Sequence, residues 1–209
     1  MTSPKSSKDA STKEKILDAA EEEFAHKGFG GARTQEIAKK AGVNKALIHY
    51  YYKDKSSLFQ AVMDEMMYDL IRISQNVSKR NLHGRDLVEG LFSEFFDYAA
   101  RHRNFARFTT MEGAAGETKY LETSIKNLFR PLFQRGVEFL EEHVEKKTVR
   151  KVDAPHFLIS VILMTLSYFA ESPMISLLLG KEATSPQVLA QRKKALLDFL
   201  LAPLGYPAK

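Results

Sequence analysis

Apolar residues return every three or four positions along most of this chain, and no stretch alternates convincingly with period two, so the pattern predicts helices joined by polar turns. Ile16, Ala20 and Phe24 line one face of a first helix, with Ser11 and Glu14 placed as a capping box and Gly28 at its end. Ile37, Ala38 and Ala41 mark a short second helix that opens at Thr34, whose hydroxyl is placed to cap it. Gly42 ends that helix, because glycine alone enters a left-handed turn at no steric cost. Asn44 is placed to cap a third helix, with Val43 and Ile48 spaced as a hydrophobic staple. Asp54 caps a fourth, whose face of Leu58, Phe59, Val62, Met66 and Leu70 is long enough to reach into whatever follows.

After a polar stretch at 78–84, Leu87, Leu91, Phe92, Phe95 and Ala99 face inward from residues 86–102, and a further helix is expected from Asn104 to about Gly113. A long helix follows, about 117–146, with Leu121, Ile125, Leu128, Leu132, Leu140 and Val144 on its buried side. Pro131 lies inside it. Proline removes a backbone bond and clashes with the carbonyl four residues back, so a kink is expected between Asn127 and Pro131. Asp153 or Ala154 with Pro155 opens a strongly apolar helix whose run, 157–170, carries Ser160, Thr165 and Ser167 and meets Glu171, Ser172 and Pro173 before the roughly 20 apolar residues of a membrane span. A helix apolar on nearly every side implies, in a small protein, a subunit interface as well as a core. Ser185 before Pro186 starts the last helix, with Leu189, Leu196, Phe199 and Leu200 on one side.

Two short capped helices across a glycine turn, about residues 33–52, read as a helix-turn-helix. Charge sharpens this. Residues 27–55 hold seven Lys and Arg (27, 33, 39, 40, 45, 53, 55) against Glu36 and Asp54, a local net charge of +5 that equals the +5 of the whole 209-residue chain. The positive excess is therefore concentrated where a polyanion would dock. With 44% hydrophobic residues the chain can build a sizeable core. It has no Cys, which removes disulfides and thiolate metal sites and suits a reducing cytoplasm. Residues 1–10 are polar, lack an apolar signal-peptide core, and are expected to form a disordered arm.

The stretch ILDAAEEEFAHKGFGGARTQEIAKKAGVNKALIHYYYKDKSSLFQAV, residues 16–62, resembles the amino-terminal DNA-binding domain of TetR-family transcriptional regulators. The likeness rests on the alanine-rich first helix ending in Gly28, on the Ile37-Ala38 and Ala41-Gly42-Val43 core, and on the aromatic cluster before Lys55. It implies an all-α fold: a three-helix helix-turn-helix domain, residues 11–70, and a helical-bundle ligand-binding and dimerisation domain, residues 71–209. The expected partners are double-stranded operator DNA, a second copy joined through the last two helical segments (about 154–179 and 186–202), and a small-molecule effector, in a cytoplasmic, nucleoid-associated setting. The expected function is a repressor that binds a palindromic operator and is released by a small, largely apolar effector.

Lys45, on the first turn of the third helix, is the leading candidate for a base contact, since lysine donates to guanine O6 and N7. Asn44 is a cap first. Thr34 and Gln35 lie at the front of the second helix, where amides and polar side chains meet phosphate. By the resemblance, Tyr50 and Tyr51 contact phosphates and thymine methyls, Tyr52 packs in the core, and Lys55 touches phosphate, with Lys53 its looser companion. Two residues depart from the family pattern. His49 stands where tyrosine is usual, and Ala46 where glycine is common.

Aromatic and methionine residues nominate a pocket lined by Phe95, Phe108, Met111, Phe129, Phe133, Met164 and Tyr168, with Glu112 and His156 as polar anchors. Both signs of charge are available, so ligand charge stays open. No HExxH, phosphate-binding glycine loop or dinucleotide fingerprint occurs, so no catalytic residue, metal or cofactor is expected. Two alternatives remain: an architectural helix-turn-helix dimer with no effector, and a helical binder or enzyme that has lost DNA function.

Overall fold

The computed structural model describes residues 4–104, 106, 107 and 122–206, with side chains from Ala10 onward. Its first helix, α1 (Pro4–Gly31), buries Ile16, Ala20 and Phe24 completely, and it departs from helical geometry at Gly28 (φ 64°, ψ 175°), where the apolar pattern ends. The helix begins at Pro4, not Ser11, which corrects the capping box. Proline suits a first turn, where its missing N–H is not needed, and no glycine or further proline interrupts the helix before Ser11. With a turn of helix already ahead of it, Ser11 has no end to cap.

Next come α2 (Thr34–Ala41), α3 (Lys45–Tyr52) and α4 (Lys55–Ser78). Phe59 of α4 meets Phe24 edge-on at 4.9 Å between ring centres and Phe29 at 5.0 Å, locking α4 onto the end of α1. All five apolar residues expected on α4 are buried. One hydrophobic cluster continues from Ile37 and Ile48 along Met63, Met66 and Leu70 to Phe96, Phe169 and Leu200. The boundary expected between residues 70 and 71 thus falls within α4 and within one core.

Beyond it lie α5 (Gly84–Arg101), a π-helical turn (Ile125–Phe129), α6 (Arg130–Glu145), α7 (Ala154–Ala170), α8 (Ser172–Leu179) and α9 (Pro186–Leu201). The π turn stands where Pro131 predicts a kink. One extra residue per turn relieves the clash between the proline ring and the carbonyl of Asn127, and α geometry resumes at Arg130. The same extra residue turns Ile125 outward, so it is exposed and not buried as an uninterrupted α-helical period requires. Just before the π turn, the buried Ser124 donates to Asp64 of α4 at 2.8 Å, and Gln60 donates to both.

The apolar helix is α7, capped by Asp153, which accepts from the His156 amide at 3.1 Å. At Glu171 the chain bends by 78° into α8, so the expected segment 154–179 is two helices. No single helix among the described residues is long and apolar enough to cross a membrane. Leu163 of α7 is 56% exposed and Phe199 of α9 60%, and Leu177 and Leu178 of α8 are also bare. The single chain therefore leaves an apolar face uncovered across its last three helices.

Candidate nucleic-acid interface and effector cavity

The turn between α2 and α3 is built from backbone. Gly42 is left-handed (φ 66°, ψ 32°), its N–H donates to the Lys39 carbonyl at 3.2 Å, and the Val43 N–H reaches the Ala38 carbonyl at 3.0 Å. This pair of bonds satisfies carbonyls that the helix end would leave open. Asn44 then caps α3 by accepting from the Ala46 amide at 2.9 Å. Ile48 is buried and Val43 packs on the same core, as a staple requires. Thr34 is the first helical residue of α2 with Arg33 in the cap position, and no side-chain cap bond is made there. Its expected capping role is corrected, while Gln35 beside it is exposed.

With Ile48 turned inward, α3 presents Lys45, Ala46, His49, Tyr50 and Lys53 to solvent. Tyr50 is 77% exposed. Tyr51 and Tyr52 are half-buried against the core, with Lys13 of α1 5.6 Å from the centre of the Tyr51 ring. Burial, with the Glu65 charge behind it, pushes the Tyr52 phenol up to about 12, and its hydroxyl donates to the Lys13 carbonyl at 3.4 Å. Tyr51 therefore supports α3 from behind more than it faces outward.

The positive charge is less available than a count suggests. Lys27 and Lys40 hold the buried Glu23 at 2.7 and 3.2 Å. Burial opposes ionisation of Glu23, but these two ammonium groups outweigh it and keep the carboxyl below its usual range. Lys55 donates to the carbonyls of Phe29 at 2.7 Å, Ala32 at 3.1 Å and Gly30 at 3.4 Å, with its charge 4.5 Å from the centre of the Phe29 ring. An ammonium group has three protons, and all three are engaged. Lys55 thus forms a clamp between the end of α1 and α4. The exposed cations that remain are Arg33, Lys39, Lys45 and Lys53. Arg33 and Lys39 entered the charge count but not the candidate contacts. Asp54, whose carboxylate accepts from the Ser57 amide at 2.7 Å, is held below its usual range by that bond.

A cavity of about 230 Å³ lies among α4, α5, the π turn, α6, α7 and α9. Phe95, Phe129 and Phe133 line it as expected, together with Leu70, Ile73, Leu91, Leu132, Phe157, Val161 and Leu197. Ser74 supplies the one polar side chain of the lining, which contains no charged group. Three of the nominated pocket residues lie elsewhere. Met164 and Tyr168 border an open groove among α7, α8 and α9, where the Arg192 guanidinium lies 5.0 Å over the Tyr168 ring. His156 is exposed at the start of α7 and lines neither space. Phe108, Met111 and Glu112 are outside the described residues. The aliphatic walls were legible only as core positions, since periodicity does not distinguish a filled interior from a hollow one.

The chain matches the family model described as bacterial regulatory proteins, tetR family, over residues 16–62, and the tetracyclin repressor-like C-terminal domain over residues 85–200. It is 30% identical to the HTH-type transcriptional regulator YttP of Bacillus subtilis over 181 residues, covering 84% of this chain and 86% of that protein. Among solved structures it resembles the transcriptional regulator SCO4942 of Streptomyces coelicolor (TM-score 0.72, 22% identity, 94% of this chain and 99% of that one). It also resembles the regulator FadR of Bacillus subtilis in complex with stearoyl-CoA (TM-score 0.71, 19% identity, 90% and 97%). At these identities the structural likeness speaks for the fold alone.

Proposed function

The chain belongs to the TetR family of bacterial regulatory proteins and is a DNA-binding transcriptional regulator, and from that premise we propose that it is a repressor whose homodimer holds a palindromic operator until a small, largely apolar effector fills the cavity. The observation that carries this is the exposed face of α3, with Lys45, Ala46, His49, Tyr50 and Lys53 projected by the Gly42 turn. Lys45 on the first turn donates to guanine in the major groove, Tyr50 packs on the sugar-phosphate wall, and Lys53, Thr34 and Gln35 meet backbone phosphates.

The dimer forms through α7 and α9, whose exposed Ile159, Leu163 and Phe199 need a partner surface. It sets the two copies of α3 about 34–36 Å apart for half-sites one turn of DNA apart. The effector carries an uncharged aliphatic portion. A hydrocarbon-lined void of roughly 150 Å³ already stays dry and admits benzene, and this one is larger, with Ser74 the one polar side chain among its apolar lining. The structure of FadR with stearoyl-CoA, a similar fold, favours an acyl chain. A ligand that prefers the state with the wrong spacing of α3 helices weakens operator binding by its differential affinity, and α4, which lines the cavity and carries the Lys55 clamp, transmits the change. The cavity also favours this reading over an architectural dimer without an effector.

Lys45→Ala is expected to abolish operator preference and leave the dimer intact. Footprints identical to those of the wild type would remove α3 from recognition.

A further inference from the structure

Resting on DNA binding by α3, we propose that His49 reads base identity as a hydrogen-bond acceptor when its ring is neutral and as a donor when its ring is protonated, so that operator preference at one position of each half-site changes with pH. His49 lies in the middle of the exposed stripe of α3, between Lys45 and Ala46 on one side and Tyr50 and Lys53 on the other. Its Nδ1 is 2.9 Å from the Lys53 carbonyl. A carbonyl oxygen only accepts, so this bond requires the proton on Nδ1 and leaves the lone pair of the neutral ring on Nε2.

The bond is built into the end of the helix. The Lys53 amide donates back to the His49 carbonyl at 2.9 Å. Lys53 itself has φ 62° and ψ −55°, and the Asp54 N–H donates to the Tyr52 carbonyl two residues back. That is a γ-turn of the strained hand, which a lysine keeps only where its neighbours over-determine it. The two bonds to residue 49 do so, and in return the turn orients the imidazole.

In the major groove the base-edge donors are the N6 amine of adenine and the N4 amine of cytosine, while guanine N7 and O6 and thymine O4 only accept. A neutral His49 with its lone pair on Nε2 therefore selects adenine or cytosine. A protonated one loses that choice and turns to guanine, thymine or phosphate. The charged groups on α3 and on the elements packed against it include Lys45 and Lys53, Asp54 at the head of α4 with its carboxylate engaged at Ser57, and Glu36 and Lys39 on α2, while Lys13 of α1 lies against Tyr51. No ion pair among the described residues includes His49.

The test is selection from a random duplex library by the full-length protein at about pH 8 and about pH 5.5. The expected result is one position per half-site enriched in adenine or cytosine at the higher pH, with that preference reduced roughly tenfold at the lower. His26, exposed on α1, is the other histidine of α1 to α4. His49→Tyr separates the two, because a phenol does not titrate in this range; it is expected to bind DNA with a preference independent of pH. The same base preferences at both pH values in the wild type, or a pH shift that persists in His49→Tyr, would overturn the proposal. No enrichment at either pH would overturn DNA binding by α3 itself, and the proposal with it.

Discussion

Lys55 and Glu23 do at the residue scale what a charge count does not reveal. Lys55 closes the end of α1 with three hydrogen bonds to carbonyls, two of them at 3.1 Å or less. Lys55→Met is therefore expected to lower stability by about 1.5–3 kcal/mol, the range for hydrogen bonds to charged groups, seen as a lower urea midpoint. If the clamp is its whole role, the salt dependence of DNA binding keeps the slope of the wild type, and a slope flattened by about one unit would assign Lys55 a phosphate as well. Glu23 makes the opposite kind of statement. Its carboxyl is held below the ordinary 4.5 in the folded chain. A lowered folded pKa adds stability above the unfolded value, and that stability is lost as pH falls through the folded one. Glu23→Gln should accordingly be less stable than the wild type near neutrality, with the gap closing below about pH 4.5, measured by thermal unfolding across pH. A gap unchanged down to acid pH would deny the Lys27–Glu23–Lys40 network that role.

At the scale of the element, the Gly42 turn sets the angle of α3. A Cβ built on Gly42 would meet nothing within 4 Å, so a substitution there is disfavoured only by the left-handed backbone at φ 66°. Gly42→Ala is expected to cost about 1–2 kcal/mol, and Gly42→Asn less, because asparagine tolerates that conformation. Equal loss in both variants, measured in urea, would point to an origin other than strain. The elements themselves were legible to different degrees. The Asn44 and Asp54 caps stand where expected because each rests on atoms two or three residues away. The start of α1 does not, since Ser11 and Glu14 satisfy a capping pattern that a helix begun at Pro4 leaves unused. Pro131 foretold a break in the long helix, but not that a π turn would absorb it and swing Ile125 outward.

For the whole molecule, the uncovered apolar face is the feature with the largest consequence. Leu163 is 56% exposed in the middle of a helix that is apolar on nearly every side. Leu163→Asp is expected to convert the dimer to monomer in sedimentation velocity, and to weaken binding to a two-half-site operator far more than to a single half-site. A dimer that survives the charge would place the interface elsewhere. The continuous core from Ile37 to Leu200 ties this face, the cavity and α3 into one packed body. A rearrangement on filling the cavity is expected to pass through α4, which lines the cavity and runs across the expected domain boundary.

The sequence by itself determined the all-helical class, the helix-turn-helix with its caps and glycine turn, and the outward face of α3. Each of these depends on atoms within about one helical turn of one another, and such neighbours are written consecutively along the chain. Tertiary structure decided which cations stay available and which residues wall the cavity. Lys55 finds its acceptors 23 to 26 residues away, and Glu23, which binds Lys40, sits on another helix. The cavity is the space that six elements leave between them, walled by Leu, Ile, Val and Phe in place of the nominated Met164, Tyr168 and His156. Periodicity shows which side of a helix turns inward, but only the meeting of distant helices fixes which inward residues touch and which surround a void.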